Sequence, residues 1–308
     1  MSRAHLIALD WGTTNVRAAL LDGDANVLEE RRGISGVGEL SAPGFGERFD
    51  ELIEGWPALP AIAAGMVGSR QGWKEAGYLP CPADLAALAG GLTQIQHGER
   101  TIHVVPGLKV QSGERFDVIR GEETQIAGLL ADQPSFSGTV VLPGTHSKWV
   151  RVNEGLIEQF STYMTGELFD LLSKQSILRH AVLPLDGEEK TASEQSFSSA
   201  VRAALTAPGS NWGRLFDIRG RSLLTEQSPS SLHAHLSGLL IGMEFEAAAT
   251  DGYDVQCIHV IGDEALVGIY SEAASVLGAD VICHNGGHLI WPALLSLARA
   301  VELLETNS

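Results

Sequence analysis

The sequence predicts an α/β protein of two domains, from three observations. Short apolar strands alternate with helical segments. A strand, Gly-Thr turn, strand, acidic-Gly turn and strand pattern occurs twice. The 308 residues also exceed one domain of ordinary size.

Residues 4–10, 16–21 and 26–31 are read as three successive strands, with Asp22-Gly23-Asp24 as a hairpin turn. Residues 60–66 suit a buried strand entering a Gly-Ser loop, and 101–105 a further strand. From Glu122 to Asp132 the apolar spacing is helical, at Ile126, Leu129 and Leu130. The opening pattern then returns in residues 138–152, "GTVVLPGTHSKWVRV". Gly144 lies 132 residues after Gly12, and Gly155 lies 132 after Gly23, so the echo carries no gap. Further on, 191–207 and 231–250 are helical, 255–261 is a strand, and 265–277 a helix. Residues 279–283 form a strand and 289–304 a closing helix, while 184–192 and 208–211 read as loops.

With 21 basic against 38 acidic residues, the net charge of −17 excludes a broad nucleic-acid or anionic-membrane surface. It leaves room for an anionic small molecule, whose pocket needs only a few local donors. Cys81, Cys257 and Cys283 are far apart and odd in number. They give neither a metal spacing nor a disulfide framework, and a reducing cytoplasm is the simplest setting. No secretory signal opens the chain, and no apolar run approaches the ~18 residues of a membrane span. Oligomeric state is open, a homodimer included.

A Gly at a turn lets backbone approach a phosphate closely, and adjacent Thr hydroxyls and N–H groups donate to it. Gly12, Thr13 and Thr14 would supply one such turn, and Gly144, Thr145 and His146 the other. Two ordinary hairpins are the plainer reading of either turn alone; the matched pair favours a phosphate clamp. Asp10, at the end of the first strand, is placed to hold hydrated Mg²⁺, or serves as a turn former. Lys148 either meets a phosphate or turns to solvent, His146 suits a structural hydrogen bond better than a base, and Arg17 ranks low as a phosphate or substrate contact.

Glu122 and Glu123 open the 122–132 helix, where acidic residues also suit the helix dipole. Adjacent glutamates point about 100° apart, so one of them faces a given ligand. In "GSRQGW", Ser69, Arg70 and Gln71 could read a carboxylate and hydroxyls, or be solvated. Thr162, Tyr163 and Thr165, at the end of a strand, could line the same place. Gly262-Asp263 could meet adenosine, with Asp263 alternatively a helix N-cap, and Asn285-Gly286-Gly287 is a weaker adenosine loop.

This order of elements resembles the sugar kinase, heat-shock chaperone and actin superfamily. More narrowly, "ALDWGTTNVRAALLD" (8–22), "GMVGSRQGWKEAGYLPCPA" (65–83), "RGEETQIAGLL" (120–130), "LPGTHSKWV" (142–150) and "FSTYMTGELFDLL" (160–172) resemble 2-dehydro-3-deoxygalactonokinases. The last third matches mainly in architecture, through "VIGDEALVGIYSEAASVLG" (260–278), with Gly-Asp where many superfamily members carry Gly-Gly. The resemblance implies a ribonuclease-H-like, actin-like ATPase fold with ATP in an interdomain cleft. It implies an N-terminal domain over 1–132 and a C-terminal domain over 138–308. It also implies an ATP- and Mg²⁺-dependent kinase that phosphorylates 2-dehydro-3-deoxy-D-galactonate at its 6-hydroxyl in galactonate catabolism. By further likeness to the Gly-x-Glu-Glu segment of exopolyphosphatases, Glu123 is the implied base, with Glu122 in reserve. A phosphohydrolase of that type, a kinase for another small sugar acid and a nucleotide-driven assembly protein are the rival readings.

Overall fold

The computed structural model describes residues 3–34, 36–40, 44–182 and 190–304. The chain divides into two compact units: Met1–Ser137, Val152–Gln159 and Gly286–Ser308 form unit 1, and Gly138–Arg151 with Phe160–Asn285 form unit 2. The sequence places the second domain over 138–308. The C-terminal helix instead groups with unit 1, where it packs on a helix of that unit.

Unit 1 opens with the three strands read from the sequence, β1 (Ala4–Trp11), β2 (Val16–Asp22) and β3 (Val27–Gly33). Its six-stranded sheet continues with β4 (Ala61–Gly65), β6 (Thr93–His97) and β7 (Arg100–Val104), in the order β3-β2-β1-β4-β7-β6. β1 runs antiparallel to β2 and parallel to β4. A smaller sheet, β5-β8-β9, comprises β5 (Tyr78–Pro80), β8 (Gly107–Ser112) and β9 (Arg115–Ile119). These short strands were not read from the sequence, because three to six half-polar residues carry too little alternation to register. Also unread were α1 (Gly44–Ile53) and α2 (Leu85–Gly90).

β1 is buried because it is central and covered on both faces, which is why Leu6, Ile7, Ala8 and Leu9 run without alternation. Trp11, Phe45, Phe49 and Trp73 fill the core on one side, with Phe45 and Trp73 stacked at 6.3 Å. α3 (Glu122–Asp132) packs on α10 (Gly286–Ala300) at a close crossing. A Cβ on Gly128 would overlap the Leu289 carbonyl there, so only glycine fits. α10 begins earlier than the predicted 289, and Gly286 and Gly287 form its first turn rather than a loop.

A five-stranded sheet has the order β12-β11-β10-β13-β14. Its strands are β10 (Gly138–Leu142), β11 (Ser147–Asn153), β12 (Leu156–Tyr163), β13 (Cys257–Gly262) and β14 (Asp280–Asn285). β13 runs parallel to β10 and to β14. Against it lie α4 (Thr165–Lys174), α5 (Arg179–Val182), α6 (Lys190–Thr206), α7 (Asn211–Leu224), α8 (Pro229–Thr250) and α9 (Glu264–Leu277). In α8, Gly238 and Gly242 press on Phe197 and Val201 of α6, which explains its Gly- and Ala-rich sequence. α7 begins at Asn211, the end of the predicted 208–211 loop; the predicted 184–192 loop lies largely outside the described residues. No helix among the described residues is long and apolar enough to cross a membrane.

Candidate active site

Gly12 follows β1, and its N–H donates to the Asn15 carbonyl at 2.9 Å, closing the first turn. Thr13, Thr14 and Asn15 are exposed at its tip. All three preceding carbonyls are engaged. Val37 N–H donates to Gly12 O at 3.0 Å, Gly38 to Thr13 O at 2.9 Å, and Gly36 to Thr14 O at 2.9 Å. A Cβ at Gly36 would overlap the Thr13 carbonyl, so the turn depends on a glycine that strand and turn patterning does not single out. Its only signal was the Gly pair of "GVG".

The second turn is held in the same manner. Glu167 N–H donates to Thr145 O at 2.9 Å, Lys148 Nζ to His146 O at 2.6 Å, and Gly166 packs where a Cβ would overlap the Gly144 carbonyl. The carbonyl oxygens, the backbone groups that repel an anion, are therefore occupied or covered in both turns. Lys148 is only 8% exposed, so it neither projects to solvent nor presents an open ammonium. His146 Nε2 pairs with Glu167 Oε2 at 2.5 Å.

Asp10 and Arg17 face each other across β1 and β2. Arg17 donates to Asp10 Oδ2 from Nε at 3.1 Å and from Nη2 at 2.7 Å, and its guanidinium lies 5.2 Å from the Trp291 ring. Asp10 and Arg17, with Thr13, Thr14, Asn15 and Arg32, line a pocket of about 670 Å³. Two arginines and three exposed polar turn residues line it, with Arg17 paired to Asp10 and Arg32 to Glu30 at 2.7 Å each. Among the described residues no group of three or more His, Cys, Asp and Glu could hold a metal, and Asp10 is the lone carboxylate lining this pocket.

Gly121 precedes α3 as its N-cap, with a φ of 105° that favours glycine. Glu123 is 0% exposed; Gly121 N–H donates to its Oε2 at 2.6 Å and Thr124 Oγ to its Oε1 at 2.9 Å. Burial, reinforced by the neighbouring charge of Glu122, pushes its pKa up to about 7. Glu122 is partly exposed and accepts the Arg120 N–H at 3.1 Å through Oε2.

The trio Ser69, Arg70 and Gln71 divides. Arg70 is 82% exposed at its side chain and 3.7 Å from Glu75, and Gln71 is also exposed. Ser69 is buried instead, because β4 ends in a tight turn over Met66–Gly68 that turns it inward.

Thr165 opens α4 rather than ending a strand, and it shares a hydrogen bond with the buried Glu244. Glu244 also accepts Trp149 Nε1 and Tyr270 OH, each at 2.8 Å, and that network anchors β11 below the second turn. Tyr163 donates to Asp251 at 3.0 Å, its pKa raised mainly by burial, and Thr162 is half-buried. Asp263 caps α9, its Oδ1 accepting Leu266 N–H at 2.9 Å, and a Cβ on Gly262 would meet only ordinary contacts. Neither lines the unit 2 pocket of about 460 Å³. That apolar slot has Gly144 and Gly166 in its wall, with Phe169, His233, Ser237 and Ile241. Phe169 and His233 meet edge-on at 4.9 Å, and burial lowers the His233 pKa, keeping the ring neutral.

A family model described as 2-keto-3-deoxy-galactonokinase matches residues 10–297. A probable 2-dehydro-3-deoxygalactonokinase of Rhizobium meliloti (strain 1021) is 38% identical over 300 residues, covering 96% of this chain and 97% of that one. The 2-dehydro-3-deoxygalactonokinase of Escherichia coli (strain K12) is 34% identical, covering 97% of this chain and 99% of its own. Among solved structures, a protein from Sinorhizobium meliloti assigned to the same activity matches with a TM-score of 0.89 at 37% identity, over 96% of this chain and 99% of that one. Component A of the Acidaminococcus fermentans (R)-2-hydroxyglutaryl-CoA dehydratase, with a TM-score of 0.50 at 14% identity and covering 97% of this chain and 100% of its own, shares the fold alone.

Proposed function

The chain belongs to the 2-keto-3-deoxy-galactonokinase family, a family of phosphotransferases with the actin-like ATPase fold, and we propose that it transfers the γ-phosphoryl group of ATP to the 6-hydroxyl of 2-dehydro-3-deoxy-D-galactonate. The observation that carries this reading beyond the family is the pair of Gly-Thr turns, 132 residues apart, each with its carbonyls engaged or covered. Phosphoryl transfer depends mainly on positioning and charge neutralisation, and such turns supply both.

In this reading each Gly-Thr turn, Gly12 with Thr13 and Thr14 or Gly144 with Thr145, contacts phosphate, and Arg17 adds positive charge beside the first. His146 and Lys148 hold the second turn in shape. The apolar slot beside Gly144 takes the adenosine, which moves the nucleoside contacts away from Gly262 and Asp263. Asp10 keeps Oδ1 outside its ion pair with Arg17. One carboxylate suits Mg²⁺, which retains waters and is completed by phosphates; when bound, it neutralises developing charge on them. Glu122, the more accessible of the two glutamates, accepts the proton of the attacking hydroxyl, while Glu123 shapes the turn beneath it. A cytoplasmic setting fits this chemistry.

A panel of 2-keto-3-deoxy sugar acids with ATP and Mg²⁺, followed by ADP release, tests the assignment. ADP release that depends on 2-dehydro-3-deoxygalactonate supports it; a flat rate across the panel, or the same rate with no sugar acid, overturns it. Asp10→Asn is expected to raise the Mg²⁺ concentration for half-maximal rate roughly 10-fold or more. An unchanged Mg²⁺ dependence would remove Asp10 from that role.

A further inference from the structure

The exposed Arg70 makes a poor clamp for a sugar-acid carboxylate, yet another arginine, half-buried, lies beside the same loop. Arg120 joins β9 to α3, and its guanidinium lies 4.4 Å from the Tyr78 ring centre. Nη2 donates to the Gly77 carbonyl at 2.7 Å. Nε and Nη1, by contrast, are closed off from solvent and have no hydrogen-bond partner. Nη1 lies against Gly68, where a Cβ would come within 2.8 Å of it. The next residue, Ser69, is 5% exposed, and its Oγ is also buried without a partner. Three unsatisfied polar groups, two of them on a permanent cation, thus collect in one part of unit 1. Buried donors are rarely left this way, since each forfeits its hydration.

Resting on the sugar-acid kinase reading above, we propose that Arg120 and Ser69 form the subsite for the acceptor's carboxylate. The planar fork of a guanidinium matches a carboxylate with two parallel N–H donors, and the Ser69 hydroxyl adds a third. To engage it, Arg120 leaves the Tyr78 ring, a side-chain rearrangement of the kind common on binding. Because Arg120 is followed directly by Gly121 and Glu122, the segment that holds the acid end also carries the proposed base. Arg120 and Ser69 are then the residues that make the enzyme select an acid over a neutral sugar.

Steady-state kinetics with 2-dehydro-3-deoxygalactonate and its methyl ester, which lacks the charge, test this subsite. Arg120→Gln is expected to raise KM for the acid roughly 10- to 100-fold and to collapse the preference for acid over ester. KM for ATP should stay within about threefold of wild type. Arg120→Lys should recover part of the preference, as a point charge without the fork, and Ser69→Ala should lose a smaller part. An acid-over-ester preference that stays at the wild-type level in Arg120→Gln overturns the proposal. So do parallel rises of both KM values, the mark of general damage. A wild type inactive on this acid would overturn the substrate assignment instead. The acid-over-ester comparison is then made on whichever acid of the panel is turned over.

Discussion

Glu122→Gln should lower kcat about 10²- to 10⁴-fold while ATP affinity stays close to wild type. Gln keeps the size of the side chain and can still accept the Arg120 N–H, so the α3 start survives and only proton acceptance is lost. Accessibility is the reason for proposing Glu122, because a base must first reach the hydroxyl it deprotonates. Glu123 is sealed, with both oxygens engaged by Gly121 and Thr124 in its own turn. Full activity in Glu122→Gln, with the large loss in Glu123→Gln, would hand the role to Glu123.

Glu123 has its own signature in pH. Its pKa of about 7 lies above the ordinary 4.5, so between these values the folded chain keeps a proton that the unfolded chain has released. Stability therefore falls as pH rises through that window and levels off above it, a cost on the order of 3 kcal/mol when complete. Glu123→Gln resembles the protonated form, with one acceptor and one donor for the same partners. Its melting temperature should gain on wild type by a few degrees between pH 5 and pH 8. A difference that stays flat over that range would show that Glu123 does not titrate there.

The second large effect is expected from Gly128→Ala. A methyl group at that position overlaps the Leu289 backbone carbonyl, and backbone cannot rotate aside as a side chain can. Relief requires α3 and α10 to separate, at about 3 kcal/mol or more, read as a lower urea midpoint. The shift also reaches function. α3 carries Glu122, and α10 carries Trp291, on which the Asp10 partner Arg17 stacks. Reduced kcat should accompany the lost stability. Gly220→Ala in α7 is the contrasting case, because a Cβ there meets nothing within 4 Å. It should stabilise the protein by about 0.5–1 kcal/mol through helix propensity alone. A Gly128→Ala variant as stable as wild type would mean that the helices pass farther apart than described.

The extent to which the site was legible varies from residue to residue. The Gly12 and Gly144 turns were readable because a repeated strand–turn pattern survives in linear order. Asp263 as a cap was readable for the same reason, since capping is a local interaction. Lys148 was open between phosphate and solvent, and the structure turns it onto a carbonyl two residues back. Thr165, taken for a strand end, opens α4 and bonds a glutamate far along the chain. Of Ser69 and Arg70, periodicity gives no sign of which one turns inward.

Alone, then, the sequence determined the two-part α/β plan, the paired Gly-Thr turns, the acidic start of α3 and the family itself. Each is written in contiguous residues, where strand period, turn chemistry and short-range spacing act. Only the tertiary structure decided that α10 belongs with the first unit, that Gly36 and Gly166 shape the two turns, and that Glu123 is sealed while Glu122 is reachable. It also decided that Arg120, half-buried, lies beside Ser69's loop while Arg70 stands exposed. Those outcomes depend on which atoms occupy the same space after folding, and close packing between segments far apart in the chain leaves no local periodicity to read.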